Sequence, residues 1–93
     1  MTVLEARVSP DRAAELTRLY EDAGPLPSQM LRAFLVRSTT DPLAWRGISI
    51  WRSRGALEEY RRSVPTPAGI MMFRAVGAEP SVSVWDVAAS LPS

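Results

Sequence analysis

The sequence predicts an α+β fold in which four antiparallel strands form one sheet and the helices lie on one of its faces, in the chain order βαββαβ. Three observations predict it. Thr2–Val8 and Ser81–Ala88 alternate apolar and polar residues with period two, the pattern of half-buried strands. Thr39–Pro42 makes a turn too short for a crossover, so the apolar runs on either side must pair as a hairpin. Helix-start signals stand at Ser9-Pro10 and at Ser53, each between strands.

The elements follow in order. The first strand places Leu4, Ala6 and Val8 on one face and Val3, Glu5 and Arg7 on the other. Ser9 is a good N-cap, Pro10 suits the first helical position and Asp11 complements the helix dipole. The helix they open carries the stripe Ala13, Leu16, Leu19, Tyr20 and Ala23, and Gly24-Pro25 closes it. Met30–Arg37 reads as the second strand, with Met30, Phe34 and Val36 on one face and Arg32 an exception on it. The third runs from about Leu43 to Arg52. Ser53 caps a helix to about Arg62, with Leu57, Tyr60 and Val64 on its buried side and Glu58–Arg62 as an exposed pair. Pro65 and Pro67 end it. A short helical turn over Ala68–Val76, stopped by Gly77, precedes the last strand. The order is that of the ferredoxin-like plan, which leaves one sheet face without helical cover.

Composition bounds the chemistry. With 46% apolar and 23% charged residues, residues 1–93 read as one domain, whose thin core a second subunit would help to cover. Eleven Arg, no Lys and ten acidic residues leave a net charge of +1, too little field to draw nucleic acid or an anionic membrane. The absence of Cys and His excludes disulfides, thiolate nucleophiles, Ser-His-Asp triads and histidine metal or haem ligands. Glu5 and Arg7 interrupt any leader-like run and no apolar window approaches the roughly 18 residues of a membrane span, so a soluble cytoplasmic protein is expected. Neither Glu58-Glu59 nor Glu21-Asp22 makes a general acid/base couple, since neighbours on a helix face different ways.

The most informative stretch is Trp45–Ser53. Strand parity puts Trp45, Gly47, Ser49 and Trp51 on one face, two indoles flanking two small residues. That pattern suits a shallow void for a flat ring, and more commonly it makes a core face of interdigitating large and small side chains. Met71, Met72 and Phe73 carry the same ambiguity, because thioethers adapt to planar ligands and also fill core gaps. Arg46-Gly47-Ile48-Ser49-Ile50 echoes the RNA-recognition strand, but Ile48, Ile50 and Ser53 stand where stacking aromatics are required.

Strand, helix and hairpin, then Trp51-Arg52-Ser53-Arg54-Gly55-Ala56-Leu57 and a Met- and Phe-rich segment, resemble the antibiotic biosynthesis monooxygenase family of dimeric α/β barrels. The resemblance runs from Val3 to about Val87. It implies a homodimer whose two sheets meet as a barrel, each subunit keeping a ligand cavity between sheet and helices. The family's haem degraders need a His in the stretch matching Ala68–Met72, a Trp where this chain has Tyr60, and an Asn where it has Ala6 or Arg7. The family's oxygenases of anthrone and quinol rings use no cofactor; their strand-end Trp is matched by Trp51, while the Asn four residues before it is matched by Gly47. Arg74 answers to their later Arg. The implied activity is cofactor-free oxygenation of a polycyclic aromatic by dioxygen, with Trp51 and Arg74 catalytic. Trp45, Gly47, Ser49, Tyr60, Met71, Met72 and Phe73 would then hold the substrate, and Arg7, Arg46, the Trp51 indole and the Tyr60 hydroxyl are further donors. A polyketide cyclase, or a dimer that binds a small aromatic without turnover, would use the same cavity.

Overall fold

The alternation at the N-terminus produces the central strand of the sheet. In the computed structural model, which describes residues 1–92, β1 (Thr2–Arg7) pairs antiparallel with β3 (Ala44–Trp51) on one side and with β4 (Ser81–Val84) on the other. β2 (Met30–Arg37) completes the hairpin with β3, giving the order β2-β3-β1-β4. The register pairs Leu4 with both Gly47 and Val82, and Thr2 with Ser49 and Val84. One face therefore collects Thr2, Leu4, Ala6, Trp45, Gly47, Ser49 and Trp51, and this is the face the helices cover.

β2 departs from the expected parity. Met30 pairs with Trp51 and Arg32 with Ile50, so Leu31 is an extra residue in a bulge that switches the faces. Met30 thus shares the helix side with Ala33 and Leu35, and not with Phe34 and Val36. Arg32 is no exception within an apolar face: it lies on the uncovered side, its guanidinium 5.3 Å from the Phe34 ring centroid. The uncovered face carries Val3, Phe34, Val36, Ile48 and Ile50, with Phe34 and Val36 still 42% and 40% exposed.

Between β1 and β2 the chain makes a 3₁₀ turn at Pro10–Arg12 and then α1 (Ala13–Glu21). Ser9 has the extended backbone of a cap, but its hydroxyl makes no capping bond. Gly24, at φ 81°, closes the segment. α2 (Arg54–Ser63) starts as its cap predicts, the Ser53 hydroxyl accepting from the Ala56 N–H at 3.0 Å. Leu57 and Tyr60 are buried, whereas Glu58 and Arg62 are exposed and form no ion pair with each other. The Met-rich stretch is a full two-turn helix, α3 (Ala68–Ala75), and β4 ends at Val84, four residues earlier than the alternation. The core joins Leu4, Val8, Leu16, Trp45, Phe73, Val76 and Ala78. Among the described residues no helix is long and apolar enough to cross a membrane.

Besides a longer Arg46–Glu5 contact at 3.5 Å, four surface ion pairs stand out: Arg7–Asp41, Arg12–Glu15, Arg54–Asp86 and Arg74–Glu79. In each, the hydrogen bond from the arginine pulls the carboxyl below its ordinary value of 3.8 or 4.5. Carboxylates depressed in the folded state stabilise it above their unfolded values and lose that contribution as pH falls through the folded values. Thermal melts are therefore expected to hold from neutrality to about pH 5 and to fall progressively below about pH 4. Solvent screening keeps each share small, and a melting temperature flat down to strong acid would contradict the pairing.

Candidate functional site

The sheet's covered face and the helices above it do not close completely. Between them lies a cavity of about 870 Å³. Thr2, Leu4, Trp45, Ser49 and Trp51 contribute from β1 and β3, and Met30, Ala33 and Leu35 from β2. Thr17 and Tyr20 of α1, Leu57 and Tyr60 of α2, and Gly69, Ile70 and Met72 of α3 enclose it. Two proline-bearing loops, Ala23–Pro27 and Val64–Pro67, supply residues to its wall, and Pro25, Pro27, Pro65 and Pro67 restrict both backbones. The volume lies within the range of small-molecule sites.

The indoles differ in how their N–H groups are used. Trp51 donates to the Thr2 hydroxyl at 3.0 Å, and its ring tilts at 42° against Tyr60, centroids 5.0 Å apart. That bond fixes the Trp51 ring across the sheet and occupies its donor. Trp45 is buried, with the Arg37 guanidinium 5.4 Å from its ring centroid, yet its Nε1 has no partner among the described residues. Such an orphaned donor is costly unless an acceptor reaches it. The Tyr60 hydroxyl accepts from the Ala68 N–H at 3.1 Å, linking α2 to the start of α3 and leaving its own hydrogen to donate.

Of the residues singled out in the sequence, Trp45, Ser49, Trp51, Tyr60 and Met72 line this cavity. Gly47, Met71, Phe73 and Arg74 do not. Gly47 is buried in the sheet beneath the Tyr20 hydroxyl, where a Cβ would collide with that oxygen and approach Phe73 Cε2 to 3.2 Å. Successive helical residues are turned about 100° apart, so of three neighbours only Met72 meets the cavity. Phe73 is fully buried in the core and Met71 is 58% exposed. Arg74 grips Glu79 through Nε and Nη2, both at 2.8 Å, on the exposed surface. Gly77 at φ 79° turns the chain back between them, which the spacing alone did not reveal. Arg7 and Arg46 point their charges at Asp41 and Glu5.

Most of the remaining wall lay outside the sequence reading of the site, among it Tyr20, read only as part of an apolar stripe, and the charged Glu21 and Arg61. Burial pushes the Tyr20 phenol up to about 12, so it is neutral at physiological pH and acts as donor or acceptor but not as an anion. Glu21 is the one carboxylate on the wall and is exposed. No cluster of three or more acidic side chains among the described residues is arranged to hold a metal ion.

The family model for antibiotic biosynthesis monooxygenase matches residues 1–68, which include β1, β2, β3, α1 and α2, the elements that build most of the cavity. The chain belongs to the antibiotic biosynthesis monooxygenase family. A search of curated proteins found none that matches the sequence. Among solved structures, the chain is similar to SnoaB, a cofactor-independent oxygenase from Streptomyces nogalater, at 18% identity, with 99% of this chain and 95% of that one covered and a TM-score of 0.68. It is similar to a candidate antibiotic biosynthesis monooxygenase from Deinococcus radiodurans at 13% identity, with 100% and 98% covered and a TM-score of 0.68. A third, from Caulobacter crescentus, shares 22% identity over 88% and 83% of the two chains with a TM-score of 0.60. At these identities the likenesses establish the antibiotic biosynthesis monooxygenase fold.

Proposed function

We propose that this protein is a cofactor-free oxygenase acting on a planar, oxygen-bearing aromatic of the anthrone or quinol type, such as an aromatic polyketide intermediate, in the cytoplasm. The observation that carries this reading is the cavity itself, an 870 Å³ hollow walled by Trp45, Trp51, Tyr60 and Met72. Flat apolar rings gain most from aromatic and thioether walls, and a few donors then set their orientation.

The chemistry asks little of the protein. The ring CH₂ of an anthrone loses a proton, and the resulting carbanion passes one electron to dioxygen. The two radicals combine to a peroxide anion, which takes a proton back to give a hydroperoxide and then loses water; CH₂ has become C=O, one oxygen atom is retained and the other departs as water. Trp51, locked by Thr2, and Tyr60, locked by the Ala68 amide, present preorganised faces to the ring, so orientation costs little at the moment of reaction. The proton is released to water or to Glu21. Arg74 takes no part in this scheme, since Glu79 holds it away from the cavity.

Dioxygen consumption with anthrone, stoichiometric with anthraquinone formed, is the test. Trp51→Phe is expected to lower kcat on the order of tenfold, because it loses both the indole face and its anchor. If no anthrone or hydroquinone is turned over and Trp51→Phe is equally inert, the oxygenase reading fails. A second reading, a binding protein without turnover, is favoured by the tying of Arg74 to Glu79; it expects the aromatic to be recovered unchanged.

The uncovered sheet face adds a partner. We read residues 1–93 as one domain of a homodimer, in which the apolar face of Val3, Phe34, Val36, Ile48 and Ile50 meets its symmetry mate.

A further inference from the structure

Tyr20 enters the cavity roof from α1, and a glycine of the sheet makes room for its hydroxyl. On one side is Gly47 of β3, where a Cβ would collide with the phenol oxygen. On the other is Gly69 of α3, whose own tight neighbour is Leu4 and where a Cβ would make only an ordinary contact with the hydroxyl at 3.6 Å. The ring itself rests edge-on against Phe73, centroids 6.4 Å apart at 78°. The strand at Gly47 and the core at Phe73 thus fix the position of one oxygen atom. Trp51 and Tyr60 are engaged with Thr2 and Ala68, whereas the Tyr20 hydroxyl makes no hydrogen bond among the described residues and its side chain lines the cavity.

A half-buried hydroxyl held this firmly, on a side chain that lines the cavity, is arranged for an acceptor that arrives with a ligand. We infer that Tyr20 is the substrate-binding donor that selects planar rings bearing a carbonyl or phenolate oxygen, seating that oxygen at the roof of the cavity against the Tyr20 hydroxyl. This rests on the reading of the cavity as an aromatic site and adds to it the chemical group recognised and the residue that recognises it. The phenol keeps its proton well past neutrality, so it donates across the whole practical pH range.

Titration calorimetry with menadione and with methylnaphthalene tests the assignment. The two share a ring frame and differ in two carbonyls, and the chain has no Cys for the quinone to alkylate. Wild-type protein is expected to prefer menadione by roughly three- to tenfold, the span of one net hydrogen bond. Tyr20→Phe keeps the ring contact with Phe73 and should abolish the preference by weakening menadione alone. Gly47→Ala, which crowds the hydroxyl from the sheet side, should lose the same preference. A preference that survives in Tyr20→Phe, or its absence from wild type with both ligands bound, overturns the Tyr20 assignment and leaves the aromatic cavity standing. Failure of wild type to bind either compound overturns the cavity reading, and the assignment with it.

Discussion

Phe73→Ala is expected to lose about 3–5 kcal/mol of unfolding free energy, the usual cost of emptying a fully buried aromatic site. A domain of this length holds only about 5–14 kcal/mol in total, so the variant should be marginal at room temperature. The site explains the size of the effect. Phe73 is fully buried, packs edge-on to Tyr20, and lies close enough to the strand floor that even a Cβ on Gly47 would crowd it. Glycine beneath an aromatic leaves no side chain able to fill the hole after truncation, so collapse recovers little. Phe73→Leu retains much of the volume and should cost about 1–2 kcal/mol. Urea unfolding measures both, and an Ala variant within about 1 kcal/mol of wild type would contradict the packing of α3 on β3.

The strands and α2 were readable because their signals are local. Ser53 does cap α2, Leu4 and Val8 are buried on the face that alternation assigns them, and the turn after Ser38 does join a hairpin. The parity of β2 was not readable, because Leu31, the bulged residue, is as apolar as its neighbours and carries no turn chemistry. β4 stops at Val84 although alternation continues, because strand length depends on pairing partners that alternation does not count. Within the site, Trp45, Ser49 and Trp51 followed from strand parity, and Met72 could have been separated from Met71 and Phe73 by helical rotation alone. Arg74 and Tyr20 depended on tertiary placement. Glu79 reaches Arg74 by a chain reversal at Gly77, and the space that admits the Tyr20 hydroxyl comes from Gly47, a glycine on another element.

Ile48→Asp is expected to convert a dimer into monomers of 10.2 kDa without emptying the ligand cavity. Ile48 pairs with both Val3 and Phe34, so it sits at the middle of the uncovered face, between the central strand and the hairpin edge. Burying a carboxylate against apolar side chains of a symmetry mate, where it also meets its own copy, is far more costly than the loss of one aliphatic contact. In the monomer the same carboxylate is bathed in water and costs little beyond strand propensity. The opposite face, with Trp45, Ser49 and Trp51, has no side chain in common with Ile48, because alternate residues of β3 point apart. Menadione affinity should therefore survive in the monomer, while the melting temperature becomes lower and loses its dependence on protein concentration. Analytical ultracentrifugation at micromolar concentration decides the matter, with Thr39→Asp in the exposed hairpin turn as a charge control that stays dimeric. Wild type sedimenting as a monomer, or Ile48→Asp remaining a dimer, would remove this face from the assembly.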